Sequence, residues 1–142
     1  MFTSVTDRQR FRGLCYLAAA VLTAAAGAVY EYFSHGVYSN YMIFAFLIPL
    51  LAGAVPNIIA AAAGNKKRAD RGGSAASALQ LAGVVTLTAG SLLKGALEIY
   101  GTTNRLTAVY PVVGTALLAA ALAAYVLQER RLSAEPSAQG QI

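Results

Sequence analysis

Two acidic residues, Glu31 and Glu98, each lie near the end of a long apolar stretch and are the first candidates for chemistry. Lys94 precedes Glu98 by four residues, and Arg105 follows a short distance beyond. Spacing of four places Lys94 and Glu98 on one face of a helix. A carboxylate at membrane depth is costly unless it faces water, a partner or a bundle interior. The pattern therefore allows an ion or proton site, an ion-pair network closing one end of a bundle, or carboxylates exposed at headgroup level.

His35 is the only histidine in the chain. If the first helix continued past Phe33, Glu31 and His35 would be four residues apart and could share a ligand. A metal would need further ligands, and no second histidine exists. Gly36 favours an end of the helix at this point, so we predict no metal site and a loop histidine. Histidine titrates near neutral pH, which leaves an outer-face pH sensor as a further hypothesis.

The motifs that mark common catalytic sites are missing from the sequence. It has no glycine-rich phosphate loop, nucleophile elbow, Cys-x-x-Cys pair or zinc-binding helix motif. The single cysteine, Cys15, excludes an intramolecular disulfide and is predicted to be a small packing residue. We therefore predict that the protein is not an enzyme and carries no cofactor.

Composition indicates the environment in which these residues act. Of 142 residues, 57% are hydrophobic and only 12% are charged, which is too apolar for a soluble domain of this size. Four stretches without charge approach or exceed the roughly 18 to 20 residues needed to cross a bilayer. We predict an all-α polytopic membrane four-helix bundle. Its domain, 13–128, would contain helices at 13–33, 41–63, 74–100 and 106–128, between a basic N-terminus at 1–12 and a disordered cytoplasmic tail at 129–142.

Basic residues predict the orientation of this bundle. Nine of them flank the same ends of the predicted helices: Arg8, Arg10, Arg12, Lys66, Lys67, Arg68, Arg71, Arg130 and Arg131. By the positive-inside rule both termini face the cytoplasm of a cell with an inner membrane. This bias explains the net charge of +5, so the expected partners are anionic lipid headgroups and not nucleic acid.

The opposite end is rich in tyrosine, which is typical of an aromatic belt at a membrane interface or of a ligand-lined vestibule. Its members are Tyr30, Tyr32, Tyr38, Tyr41, Tyr100 and Tyr110. A signal peptide cleaved near Ala24–Ala26 is a competing interpretation of the first helix. Because the apolar run continues to Tyr30, and retention leaves an even four spans, we favour a retained helix.

Two groups of residues suggest how the helices bend and pack. Pro49, Gly53, Pro56 and Asn57 share nearly one face of the second helix, where the prolines predict a kink that improves packing or lines a substrate path. In the third helix, Gly83 and Gly90 form part of a small-residue stripe suited to close contact with another helix. That other helix would belong to the same bundle or to a second subunit.

A weak internal repeat relates the two halves of the chain. The stretch Gly27–Phe33 resembles Gly95–Tyr100, each at the outer end of an odd-numbered helix. Two tandem parallel helical hairpins would explain the match. Alanine-rich sequences also produce such matches by chance.

The stretch Glu31–Ser39, followed by a proline-containing helix, resembles a group of small four-span bacterial inner-membrane proteins without an established activity. The resemblance covers mainly the first two helices and implies an intact bacterial polytopic protein. Two functional hypotheses follow from the residues themselves. One is an accessory or scaffold subunit that packs against another membrane protein, and the alternative is a small homo-oligomeric transporter or channel with Glu31 and Glu98 at its outer mouth.

Overall fold

A computed structural model of the protein describes residues 5–62, 75–102 and 104–134, and all regular elements in these ranges are helices. Their bounds are α1 Val5–Phe33, α2 Asn40–Ile43, a π-helix Pro49–Ala54, α3 Val55–Ala62, α4 Ala75–Ile99, a 3-10 helix Arg105–Ala108 and α5 Val109–Ala134. The predicted all-α fold is therefore observed in the described part of the chain.

Three segments are long and apolar enough to cross a membrane: Asp7–Phe33, Ala75–Ile99 and Arg105–Arg131. They fall on the first, third and fourth predicted spans. A helix of about 18 residues is about 27 Å long, close to the thickness of the hydrocarbon core, and the three segments are longer than that. The chain therefore has the helices of a membrane protein.

The second predicted helix, 41–63, is not continuous. It consists of the four-residue helix α2, a turn over 44–46, the π-helix and α3, and its longest apolar helical piece, Pro49–Ala62, is shorter than a full span. Pro49 explains the turn that precedes it, because proline lacks the N–H of the regular helical ladder and its ring crowds the preceding turn. Pro56 lies at the start of α3, where the π-helix has just ended. These pieces, 40–62, are called the interrupted segment below.

The outer helices extend beyond the predicted boundaries. Helix α1 begins at Val5, so Arg8, Arg10 and Arg12 are helical, and α5 continues to Ala134, into the predicted tail. The predicted basic loop with Lys66, Lys67, Arg68 and Arg71 lies outside the described residues, as does the tail from 135 onward.

Helices α4 and α5 form an antiparallel pair with close backbone approach. A Cβ atom added at Gly83 would lie 2.9 Å from the side chain of Leu118, and one added at Gly90 would overlap Tyr110. Gly114 on α5 makes the reciprocal contact with a leucine of α4. The absence of side chains at these positions lets large residues of one helix enter grooves of the other.

Helix α1 packs in the same way on the interrupted segment. The ring of Tyr16 covers Gly53, and the side chain of Ile58 covers Gly13. Because neighbouring elements run antiparallel, the arginines that begin α1 and end α5 lie at one end of the fold, called the basic end below. The other end carries the six tyrosines named above and is called the tyrosine-rich end.

Candidate functional site

Short helix α2 is held against α4 at the tyrosine-rich end by polar contacts. The hydroxyl of Ser39 donates to Oε2 of Glu98 at 2.7 Å, and the hydroxyl of Ser91 donates to the carbonyl of Tyr41 at 2.6 Å. The ammonium of Lys94 lies 3.8 Å from the centroid of the Tyr41 ring, a cation–π contact. The charged groups of α4 therefore dock a neighbouring element of the same chain.

Met42 of α2 adds apolar contacts with α1 and α4 to these polar ones. It is 4% exposed and lies between two glycines, Gly27 of α1 and Gly95 of α4. A Cβ atom at Gly27 would lie 3.3 Å from the Met42 carbonyl oxygen, and one at Gly95 would lie 2.9 Å from Met42 Cβ. The two glycines that begin the sequence repeat thus contact the same residue.

The other predicted members of the outer site are not gathered around Glu98. Glu98 contacts Ser39, the residue that precedes α2, and Lys94 contacts the Tyr41 ring in α2. Arg105 is exposed in the 3-10 helix. An ion-pair network among Lys94, Glu98 and Arg105 is one of the arrangements that the sequence allows. Within the described residues, the geometry instead pairs Glu98 with a serine hydroxyl and Lys94 with an aromatic ring.

Glu31 occupies a different environment from Glu98. It is half-buried near the end of α1, and its Oε1 is buried with no hydrogen-bond partner among the described residues. Its backbone carbonyl accepts two hydrogen bonds from Ser34, from the amide at 3.1 Å and from the hydroxyl at 2.7 Å. These contacts form the end of α1, just beyond Glu31.

His35 lies outside α1 and is exposed. It has a φ of 57° and is followed by Gly36 with a φ of 88°, so the chain turns through left-handed backbone conformations. The helical spacing that would align His35 with Glu31 is therefore not formed. The described residues contain no group of three or more histidine, cysteine or acidic side chains placed to hold a metal.

Pro56 creates the most distinctive polar arrangement in the fold. It has no N–H, so the carbonyl of Ala52, four residues earlier, lacks its regular α-helical donor. Nε2 of Gln80 on α4 donates to this carbonyl at 2.8 Å, and the hydroxyl of Tyr125 on α5 donates to Oε1 of Gln80 at 3.1 Å. One glutamine thus joins the interrupted segment, α4 and α5 near the basic end.

The other polar groups of the interrupted segment are satisfied locally. Pro49 leaves the carbonyl of Ala45 without its α-helical donor, and the amide of Ile48 donates to it at 3.2 Å. Nδ2 of Asn57 donates to the carbonyl of Gly53 at 2.8 Å. Inside a bilayer no water is available to hydrogen-bond the backbone. An interrupted helix is therefore tolerated there only when other groups replace its missing hydrogen bonds.

Two cavities adjoin this arrangement. One, of about 480 Å³, is a cleft between α1 and α4, called the α1–α4 cleft below. The other, of about 260 Å³, lies nearer the basic end and reaches α5. Arg12, Asn57 and Gln80 line both, and Pro49 and Pro56 each line one.

The predicted outer residues line neither of these cavities. Among the polar residues that line the cavities, Gln80, Tyr125 and Arg12 are three that the sequence analysis did not predict as site residues. A signal existed for Gln80, which is the only amide side chain in the long apolar stretch of α4. No sequence pattern connects it to Tyr125, because the two are 45 residues apart.

Comparison of the chain with protein-family models, with curated proteins and with solved structures finds no match.

Proposed function

We propose that the protein is an integral membrane accessory or scaffold subunit that packs against a partner membrane protein. In this proposal the interrupted segment crosses the bilayer together with the three long helices, which makes a four-helix bundle. Both termini then lie on the cytoplasmic side of the inner membrane, as the positive-inside rule favours. Support for a partner comes from the surface of α5.

The middle of one exposed face of α5 consists of small residues. Only 11% of the most apolar part of Arg105–Arg131 is buried, and Ala116, Ala120 and Ala123 are all exposed. Spacings of four and three residues place these alanines on one side of the helix. Small residues at such spacings are enriched where helices contact each other in membranes, because they let two backbones approach. This exposed face is the observation that carries the proposal.

The glycine stripe of α4 is not available for the same purpose. Gly83 and Gly90 already receive Leu118 and Tyr110 of α5. Leucine at either glycine would therefore disrupt the fold itself, and loss of a partner from such variants would not identify the partner surface. The alanine face can be changed without entering this internal contact.

The experiment is affinity purification in mild detergent, with mass spectrometry of what accompanies the tagged protein. We expect a stoichiometric membrane protein with the wild type and its loss from the double variant Ala116→Leu and Ala120→Leu. The matched control is Ala78→Leu and Ala82→Leu, two exposed alanines with the same spacing on α4. Wild-type protein that purifies without any foreign subunit would contradict the proposal, as would equal retention by both double variants.

A small homo-oligomeric transporter or channel is the second candidate, favoured by the buried Oε1 of Glu31 that lacks a hydrogen-bond partner among the described residues. Acidic residues within membrane-spanning segments commonly mark ion pathways. The test is ion or proton flux in proteoliposomes containing Glu31→Gln, Glu98→Gln or both. We expect reduced flux in each, with Glu129→Gln at the basic end as the control, and normal flux in the double variant would remove both carboxylates from any mechanism.

A further inference from the structure

The α1–α4 cleft changes character along its length. Near the basic end its wall contains Arg12, Asn57, Gln80 and Ser77, and the positive charge there comes from Arg12. Arg8 is exposed one turn before Arg12 on the same side of α1. An arginine fork suits a phosphate, because it offers several charge-assisted donors in one plane. This end of the cleft is therefore complementary to an anionic headgroup.

Beyond these residues the cleft is apolar. Its wall there includes Leu81, Val85 and Leu92. Two threonines also line it, but the hydroxyl of Thr23 donates to a carbonyl of α1 at 2.7 Å and that of Thr88 to a carbonyl of α4 at 2.8 Å. Because these hydroxyl hydrogens are already used within their own helices, this part of the cleft suits hydrocarbon.

The cleft is long enough to span one leaflet. Along α1 it runs from Arg12 to Thr23, and along α4 from Ser77 to Leu92. At about 1.5 Å per residue these distances are roughly 16 and 22 Å, and half of a hydrocarbon core is roughly 15 Å. A ligand with its charged group at Arg12 would end near the middle of the bilayer.

We propose that the α1–α4 cleft is a binding site for one anionic phospholipid from the leaflet at the basic end. The phosphate contacts Arg12, and one acyl chain lies between α1 and α4. The site is independent of the proposed partner surface, which is on α5. It goes beyond a general attraction of basic residues to the membrane surface, since it selects one arginine and one apolar cleft.

The experiment is native mass spectrometry of the detergent-purified full chain after titration with phosphatidylglycerol or phosphatidylcholine of identical acyl chains. We expect one tightly retained phosphatidylglycerol per chain. Arg12→Gln should lower the preference for phosphatidylglycerol by about tenfold, the equivalent of one charge-assisted contact. Arg10→Gln, which removes the same charge from a residue that does not line the cleft, is the control and should keep the preference.

A second pair of variants tests the apolar part. Ala89 lines the cleft, so Ala89→Phe should fill it and displace both lipids, whereas Ala82→Phe, at an exposed position outside the cleft, should not. Circular dichroism checks that each variant remains helical. Equal lipid retention by Arg12→Gln and Arg10→Gln would show only a nonspecific lipid belt and overturn the proposal. Loss of a dimer or of a foreign helix, rather than of lipid, in Ala89→Phe would assign the cleft to a protein and overturn it equally.

Discussion

Nε2 of Gln80 lies 2.8 Å from the carbonyl oxygen of Ala52. Pro56 has no N–H, so it cannot donate the α-helical hydrogen bond to this oxygen. A side chain of α4 therefore replaces a backbone hydrogen bond of a different element. In an apolar environment an unpaired carbonyl is costly, so this contact ties the broken segment to α4. It also fixes the orientation of the glutamine amide, whose oxygen accepts from Tyr125.

Removal of this amide should destabilise the fold. We expect Gln80→Leu to lower the free energy of unfolding by about 1 to 3 kcal/mol, because the Ala52 carbonyl and the Tyr125 hydroxyl each lose a partner. Pro56→Ala restores an N–H four residues after Ala52, so the cost of Gln80→Leu should shrink in that background. Thermal or denaturant unfolding in detergent measures the cycle. Equal costs in the two backgrounds would mean that the bond to Ala52 contributes little.

The two glycines around Met42 should differ in their tolerance of alanine. Gly95→Ala places Cβ 2.9 Å from Met42 Cβ and 3.1 Å from its amide nitrogen, so we expect a loss of about 1 to 3 kcal/mol. Gly27→Ala meets its nearest atom at 3.3 Å, and the higher helix propensity of alanine offsets much of that contact. Unfolding of the two variants, measured side by side, should therefore rank Gly95→Ala as the less stable. The reverse order would contradict the placement of Met42.

The contact of Lys94 with the Tyr41 ring should control how firmly α2 is docked. Lys94→Met keeps most of the apolar stem but removes the cation, which at an exposed site contributes about 0.5 to 1 kcal/mol. We expect amide hydrogen exchange in Asn40–Ile43 to accelerate about two- to fivefold. Lys94→Arg retains a cation and serves as the control with little change. Identical exchange in Lys94→Met and the wild type would show that the ring contact does not hold α2.

The proposed four-span topology predicts that both termini lie on one side of the membrane. Reporter fusions active only in the cytoplasm should give signal from either terminus, and fusions active only outside should be silent at both. The alternative with three spans has termini on opposite sides. Opposite signals from the two termini would therefore show that Pro49–Ala62 does not cross the bilayer.

The lengths of the stretches without charged residues were enough to predict three long apolar helices, because the thickness of the bilayer sets a minimum length for any spanning helix. The two prolines likewise indicated a disturbed second helix. They did not reveal a π-helix over Pro49–Ala54 or the separation of α2 from α3. Those details depend on which neighbour supplies each missing hydrogen bond, and that neighbour comes from elsewhere in the chain.

Side-chain partners at long range were the harder part of the candidate site. Glu98 was selected for its charge, but its partner Ser39 is 59 residues away and uncharged. The partner of Gln80 is a backbone carbonyl, which every residue possesses and no sequence pattern distinguishes. The charged residues that the sequence singles out therefore lie at the tyrosine-rich end, whereas neutral amides and Arg12 line the two cavities described above.

The missing N–H of Pro56 has a consequence for biosynthesis. Ribosomes synthesise Ala52 before Gln80, and 28 positions separate the carbonyl from its donor. In the proposed topology the Ala52 carbonyl therefore lacks its donor from Gln80 until α4 has left the exit tunnel. We therefore expect the partition of the interrupted segment from the insertion machinery to be coupled to that of the following helix, so that the two enter the bilayer as a pair and not one at a time.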